Sequence, residues 1–318
     1  MRGEDRLIAW LRSRADASGA LLGDDAAFLP ALGEFAVTVD TQTSGIHFLP
    51  GLDAAVMARR LLAVNLSDLA ACGADPAFAF LALNAPADFP HRRFLNALLS
   101  AAKAHGVKLA GGDLASAAGP SATLTLIGRL PHRGRWVRRD AARPGDRLWV
   151  GGTLGQAAAG LLLQRGIASG LHPAALATAG KRAIVRHLAP RPQLDLGRWL
   201  GRQARASALD ISDGLARDLH RLARASGVGA VVEAGQLPMA NRFVELCSAL
   251  GRKALDLMLG GGEDYVLLFT LPSSIAPPAR FGATEIGSIH QGRRVRLRVG
   301  TRLIPLGDSG FDHLDVSA

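Results

Sequence analysis

Apolar positions change period repeatedly along this chain, and each change predicts an element. Residues 4–14 read as a short helix, and the β-branched run at 35–39 predicts a strand that delivers Asp40 at its end. Asp53 then stands before a long apolar stretch closed by Gly73 and Pro76, the start and stop signals of a helix over 54–71. Strands at 78–83, 107–110 and 123–128 follow, with a helix at 91–104. An Arg-rich polar stretch at 138–146, containing Pro144-Gly145, interrupts the pattern and predicts a hinge. Beyond it residues 148–150 begin a second unit, with strands at 206–209, 228–232, 265–270 and 284–289, and helices at 154–164, 174–188 and 214–225. The pattern predicts two domains, an α+β unit at 1–138 and a second unit at 139–318.

The helix at 54–71 is so apolar that Asn65, Ser67 and Asp68 are expected to point into a covered region. A buried carboxylate without compensation is unfavourable, so Asp68 needs a cation or several donors. A structural hydrogen-bond network is the competing account. Other acids sit beside glycines at the ends of apolar runs: Gly23-Asp24-Asp25, Asp40-Thr41, Gly111-Gly112-Asp113, Asp210-Ile211-Ser212-Asp213-Gly214 and Gly260-Gly261-Gly262-Glu263-Asp264. Each alone fits an ordinary turn or cap, Ser212 in particular a helix cap. Gly111-Gly112 would also let backbone N–H groups approach phosphate oxygens. If these carboxylates converge they repel one another, unless cations neutralise them, and hard oxygen ligands suit Mg²⁺. Several such ions commonly hold polyphosphate, which points to a magnesium-nucleotide enzyme. His47, close to Asp40 in sequence, is a candidate substrate contact. No P-loop, protein-kinase motif set or dinucleotide fingerprint is present.

Composition narrows the partners. With 48% hydrophobic and 20% charged residues, the 318-residue chain is expected to be globular. No stretch is long and uncharged enough to span a membrane, and Met1-Arg2-Gly3-Glu4-Asp5-Arg6 lacks an apolar signal core, so a cytoplasmic protein is expected. Cys72 and Cys247 have no zinc or redox spacing and are expected to be small buried hydrophobes. The net charge of +10 comes largely from dispersed arginines, and with 5% aromatic residues there is little material for base stacking. No nucleic-acid partner is expected, although the charge can attract anionic substrates.

Taken in order, the motifs resemble those of thiamine-monophosphate kinases, a family in the superfamily of aminoimidazole ribonucleotide synthetase. The resemblance rests on Gly3-Glu4 with Leu7-Ile8, Gly23-Asp24-Asp25-Ala26, Asp40-Thr41 through Gly45-Ile46-His47-Phe48, and the run from Ala63 to Ala71 with Gly73-Ala74-Asp75-Pro76. It continues through Gly111-Gly112-Asp113, Arg139 before Pro144-Gly145-Asp146, Asp210 to Leu215, and Gly261-Gly262-Glu263-Asp264-Tyr265. The resemblance implies an aminoimidazole ribonucleotide synthetase-like fold, with an N-terminal ATP-binding domain that dimerises through its sheet and an α/β C-terminal domain. It places Asp25, Asp40, Asp68, Asp113, Asp210 and Asp213 on magnesium positions, with oxygens of Thr38 and Val39 as further metal contacts. Gly112, Asp113, Arg139 and Ser212 match nucleotide contacts, and His47 and Glu263 match contacts to thiamine monophosphate. The family's C-terminal aromatic substrate contact aligns roughly with Asp308, and Phe311 lies three residues on. Val39 stands where Thr is usual, so a contact there must use its carbonyl, and Leu114 also replaces a usual Thr.

The implied reaction is ATP plus thiamine monophosphate giving ADP and thiamine diphosphate. It would be carried by Asp25, Asp40, Asp68 and Asp210 through bound Mg²⁺, without a covalent nucleophile. Two rivals stand beside it. One is a superfamily enzyme that uses ATP to activate an amide or a selenide, although neither cysteine lies near the N-terminus, where selenophosphate synthetases carry theirs. The other is a non-catalytic basic nucleic-acid binder.

Overall fold

The computed structural model describes residues 27–29, 34–166 and 173–311. The helix expected at 4–14 and the Gly23-Asp24-Asp25 motif lie outside the described residues.

The first sheet contains β1 (Ala27–Leu29), β2 (Phe35–Thr43), β3 (Asp75–Ala85), β4 (Lys108–Ser116) and β5 (Ser121–Arg129), in the order β1-β2-β5-β3-β4. Helices α1 (Ala54–Ala71) and α2 (His91–Ala104) belong to the same unit. β3 and β4 are parallel across α2, and the other pairs are antiparallel. Asp53 caps α1 as its sequence suggests, with Oδ1 accepting from the Ala55 and Val56 amides at 3.0 and 3.3 Å.

Strand alternation divides this sheet into two unlike faces. Ala36, Thr38, Leu81, Leu83, Leu124 and Leu126 are buried on one face. The register puts Val37, Ile127 and Phe78 side by side on the other face, followed by Val39, Thr125 and Phe80. Val39 is 58% exposed and Phe80 41%, so this second face is apolar and open.

The second sheet contains β6 (Arg147–Val150), β7 (Ser207–Asp210), β8 (Gly229–Glu233), β9 (Leu267–Leu271), β10 (Thr284–His290), β11 (Val295–Val299) and β12 (Arg302–Pro305). Its order is β12-β11-β8-β10-β6-β9-β7, antiparallel except for β8 with β11. Around it are α3 (Gln156–Gln164), α4 (Pro173–Leu188), α5 (Leu194–Gly201), α6 (Leu215–Ser226), α7 (Phe243–Ala249) and α8 (Ala254–Gly260). The boundary expected at 138/139 falls in the connection between the two sheets.

α1 is the structural link between the sheets. Its core is shared with Trp149 and Phe269 of the second sheet and with Leu194, Leu196 and Leu200 of α5. A helix covered on opposite sides needs apolar residues nearly all round, which explains its composition. Of its side chains, Val56, Arg59 and Asp68 alone escape burial.

Several sequence expectations are corrected. β2 runs on through the β-branched Thr41 and Thr43, still paired with β5, so Asp40 lies within a strand and not at its end. Gly111-Gly112-Asp113 lies inside β4, not in a turn after it. A side chain at Gly112 would collide with the Leu81 carbonyl of β3, so close strand packing already accounts for that glycine. α6 begins at Leu215, after Ser212 and Asp213, and Ser212 does not cap it. Instead Asp218 Oδ2 accepts from the Asp213 and Gly214 amides at 3.0 and 3.2 Å. Helices α5, α7 and α8 and strands β1, β6, β11 and β12 were not expected.

Candidate active site

A cavity of about 320 Å³ opens where the two units meet, and acids from both line it. Asp40 comes from β2 and Asp68 from α1, while Asp210 ends β7 and Asp213 lies in the turn before α6. Ser212, His47, Glu263 and Phe311 share the same walls. Sequence positions separated by more than two hundred residues thus meet in one space.

The geometry around each acid is specific. Asp68 is held by the Thr38 hydroxyl, which donates to its Oδ2 from the neighbouring strand. Thr38 is buried behind that bond. Val39 points its side chain to the opposite, open face of the sheet, as alternation requires. Asp210 is 4% exposed at the rim of the second sheet. Asp213 is ion-paired to Arg221 of α6 at 2.5 Å. His47 Nδ1 accepts from the Thr43 amide at 3.0 Å, which leaves the proton of a neutral ring on Nε2 as a donor.

The turn carrying Glu263 is docked tightly. Its amide donates to the Ser212 carbonyl at 2.6 Å, and the Tyr265 amide donates to Ile211 at 2.9 Å. Glu263 and Tyr265 both have left-handed backbones, with φ of 63° and 47°. Such conformations are unfavourable for residues with side chains and persist where surrounding structure dictates them. Gly262, with φ of 66°, admits no Cβ, because one would stand 2.7 Å from the Ser212 carbonyl. Asp264 turns away from the cavity and caps α3, accepting from the Gly155 and Ala157 amides at 2.6 and 3.2 Å. Burial pushes its carboxyl up to about 6, against the pull of those amides and Arg186.

The sequence reading missed the residue that organises this wall. Arg60 of α1 is fully buried. It donates from Nε to Gln42 Oε1 at 2.9 Å, from Nη1 to the His187 carbonyl and from Nη2 to Glu263. His187 Nδ1 lies 3.3 Å from the same carboxylate. Burial alone would raise the Glu263 carboxyl, but Arg60 and His187 outweigh it and hold it below the ordinary carboxylate value. Arg217, also buried, donates to the Phe311 carbonyl, and the Phe311 amide donates to Asp213 at 3.1 Å. That pair of bonds sets Phe311 against the cavity.

Other candidates are not brought to this cavity. Asp308 does not line it. Gly112 and Asp113 lie on the exposed edge strand β4, and the register puts Asp113 on the open face beside Ala82 and Thr123. Arg139 stands in the connection between the sheets, with its carbonyl held by Ser207 and Ser226 at 3.0 and 2.8 Å. Asp25 lies outside the described residues.

The donor set is chemically suited to Mg²⁺. Asp40, Asp68, Asp210 and Asp213 offer hard oxygens around one space. Among the described residues no three carboxylate, His or Cys side chains form a ready chelate for one ion. Mg²⁺ bound by one or two carboxylates with substrate phosphates needs no such protein cage. Tyr265 gives the opposite signal: burial, and then the nearby Glu263 charge, raise its phenol well above the usual value, so it stays neutral.

Comparisons with known proteins agree with this layout. Residues 23–130 match the model for the AIR synthase related protein, N-terminal domain, and residues 143–300 match that for the C-terminal domain. Thiamine-monophosphate kinase of Salmonella typhimurium is 41% identical over 257 residues, covering 79% of this chain and 76% of the relative. Thiamine-monophosphate kinase of Aquifex aeolicus is 33% identical over 313 residues, covering 97% and 98%. The solved structure of AaThiL complexed with AMPPCP and TMP superposes with a TM-score of 0.86 at 30% identity, covering 98% of this chain and 99% of that one.

Proposed function

The chain belongs to the thiamine-monophosphate kinase family, and from that premise we propose that it transfers the γ-phosphoryl group of ATP directly to thiamine monophosphate. The observation that carries this reading is the meeting of Asp40, Asp68, Asp210 and Asp213, from both units, on one cavity with His47 and Glu263. The acceptor is a phosphate oxygen, already anionic at neutral pH, so no strong general base is needed. The work left to the protein is alignment and charge compensation. His47 presents Nε2–H, and Arg165 and Arg221 bring positive charge to the same walls. Phe311, with Ile46, Leu161 and Tyr265, gives the cavity an apolar side for the thiamine rings.

Mg²⁺ held by Asp40, Asp68, Asp210 and Asp213, with Asp25, Asp113 and oxygens of Thr38 and Val39 as further contacts, would neutralise the two approaching phosphates. Ser212, Gly112, Asp113 and Arg139 are proposed to contact ATP. For Gly112 and Asp113 this goes with a homodimer formed through the open face of the first sheet, where Val39 and Phe80 are exposed. The division at 138/139 then separates a nucleotide-binding, dimerising unit from the C-terminal one. A cytoplasmic setting suits buried Cys72 and Cys247, which are not joined in a disulfide. Among the described residues no helix is long and apolar enough to cross a membrane.

The test is product identification with ATP, a magnesium salt and thiamine monophosphate. Equal amounts of ADP and thiamine diphosphate are expected, with no turnover in chelator. ADP release that ignores thiamine monophosphate, or that depends on an amide or selenide acceptor, would point to the rival superfamily chemistries.

Glu263→Gln gives a finer check of the substrate end. Gln keeps an acceptor for Arg60 but loses the charge, so an increase in KM for thiamine monophosphate is expected, by about tenfold. KM for ATP should change little. If the main defect falls on ATP or Mg²⁺ instead, Glu263 belongs to the metal end of the cavity.

A further inference from the structure

A second cavity, of about 810 Å³, lies in the C-terminal unit and shares no lining residue with the first. It is walled by α4, by the segment at 189–193 and by Gly151, Gly152 and Thr153 after β6. The glycines are explained by packing, since a Cβ at Gly152 would stand 2.9 Å from Val266 and one at Gly151 would strike Gln193. The side chains are what call for an explanation.

Lys181, Arg182, Arg186 and Arg191 all line this space, and among the described residues no carboxylate does. On α4, Thr178, Arg182 and Arg186 follow one another at four-residue spacing, so two like charges are stacked along one face. That arrangement is mildly unfavourable, and an anion would relieve it. Lys181, Arg182 and Arg191 form no ion pair among the described residues. Arg186 is fixed by one bond, from Nη2 to the Asp264 carbonyl at 2.8 Å, and its Nε is buried without a hydrogen-bond partner. Burial lowers the Arg186 guanidinium from its ordinary value, and the like charge of Arg191 adds to the effect against the pull of Asp264.

The geometry points to a second anion site here, for a small molecule bearing two or more phosphate groups. Four cations match that charge, the Thr153 and Thr178 hydroxyls supply neutral contacts, and the volume lies in the range of small-ligand sites. Arg186 ties this wall to the turn that carries Glu263, since it donates to the Asp264 carbonyl while Arg60 donates to the Glu263 carboxylate.

The proposal stands apart from the kinase reading and is tested without turnover. Pyrophosphate and ADP are titrated separately into the full chain in excess EDTA, with heat of binding as the readout. Without cations, the four aspartates of the first cavity are expected to disfavour both probes there. One saturable event per chain is expected for at least one probe, and the tighter probe tells an inorganic from a nucleotide ligand. Affinity should fall at least tenfold in K181A/R191A, whose exposed positions leave folding intact. It should be unchanged in R293A/R296A, which removes charge from a different basic cavity, beside β11. Absence of saturable binding with either probe, or a loss as large in the second variant as in the first, would overturn the proposal.

Discussion

Asp68→Asn is expected to lower kcat/KM by about 10²–10³-fold, equivalent to about 3–4 kcal/mol of transition-state stabilisation. Asp68 is an acid on a helix buried nearly all round, and it faces a cavity that holds Asp40, Asp210 and Asp213 as well. Asn keeps the size of the side chain and an acceptor for the Thr38 hydroxyl, so the local fold has no reason to change. Removing one of several like charges should leave the melting temperature equal or slightly higher. Activity and melting are therefore expected to move independently. Steady-state rates across a magnesium titration, with a thermal melt alongside, make the check. Wild-type turnover at saturating Mg²⁺ would remove Asp68 from the chemistry.

Arg60→Met is the counterpart for stability. It deletes a fully buried guanidinium and leaves Glu263 without its main counter-charge. Breaking one side of a buried pair costs about 3–5 kcal/mol, which corresponds to a fall in melting temperature on the order of 10 °C for a chain of this size. The pH dependence fixes the cause. Glu263 is held below the ordinary carboxylate value in the folded state. Its contribution is therefore complete above the unfolded-state value near 4.5 and is lost as pH falls through the depressed folded value. The gap between wild type and Arg60→Met should be wide at neutral pH and should narrow in acid. An equal gap at both pH values would mean that Arg60 acts through packing alone.

Arg60 also shows where sequence reading stopped. Its neighbour Arg59 is exposed, and in the sequence the two look like one polar pair on an otherwise apolar helix. A buried charge was nevertheless signalled, because a helix apolar enough to hide Asn65 and Ser67 had little surface left on which to place both arginines. Glu263, its partner, is about two hundred residues away, and no local pattern records such a distance. Asp210 and Asp213 stood out for the opposite reason: they sit beside a glycine where an apolar run stops, and β7 does end there, at the cavity, whereas Asp40 and Asp68 reach the same cavity from within β2 and α1.

Helix α1 was legible to the residue, since Asp53 and Gly73 mark its ends chemically. α7 and α8 are seven residues each, too short for a helical period to emerge. β11 alternates Val295, Leu297 and Val299 with arginines, a clear two-residue period that the eye reads first as a basic stretch. β12 is exposed at every position and offers no alternation at all. Asp40 was placed at a strand end because the apolar run stops there, yet Thr41 and Thr43 have the β-branched shape that continues pairing.

The most direct test compares thiamine monophosphate with free thiamine as phosphoryl acceptor, at saturating ATP and Mg²⁺, with the products identified. A cavity built from aspartates of both units suits two anions brought together under cation control, and an alcohol brings no second anion. Thiamine monophosphate should be converted to the diphosphate, and free thiamine should react slower by about 10³-fold or more. Equal rates with the two acceptors would contradict direct transfer between phosphates in this cavity.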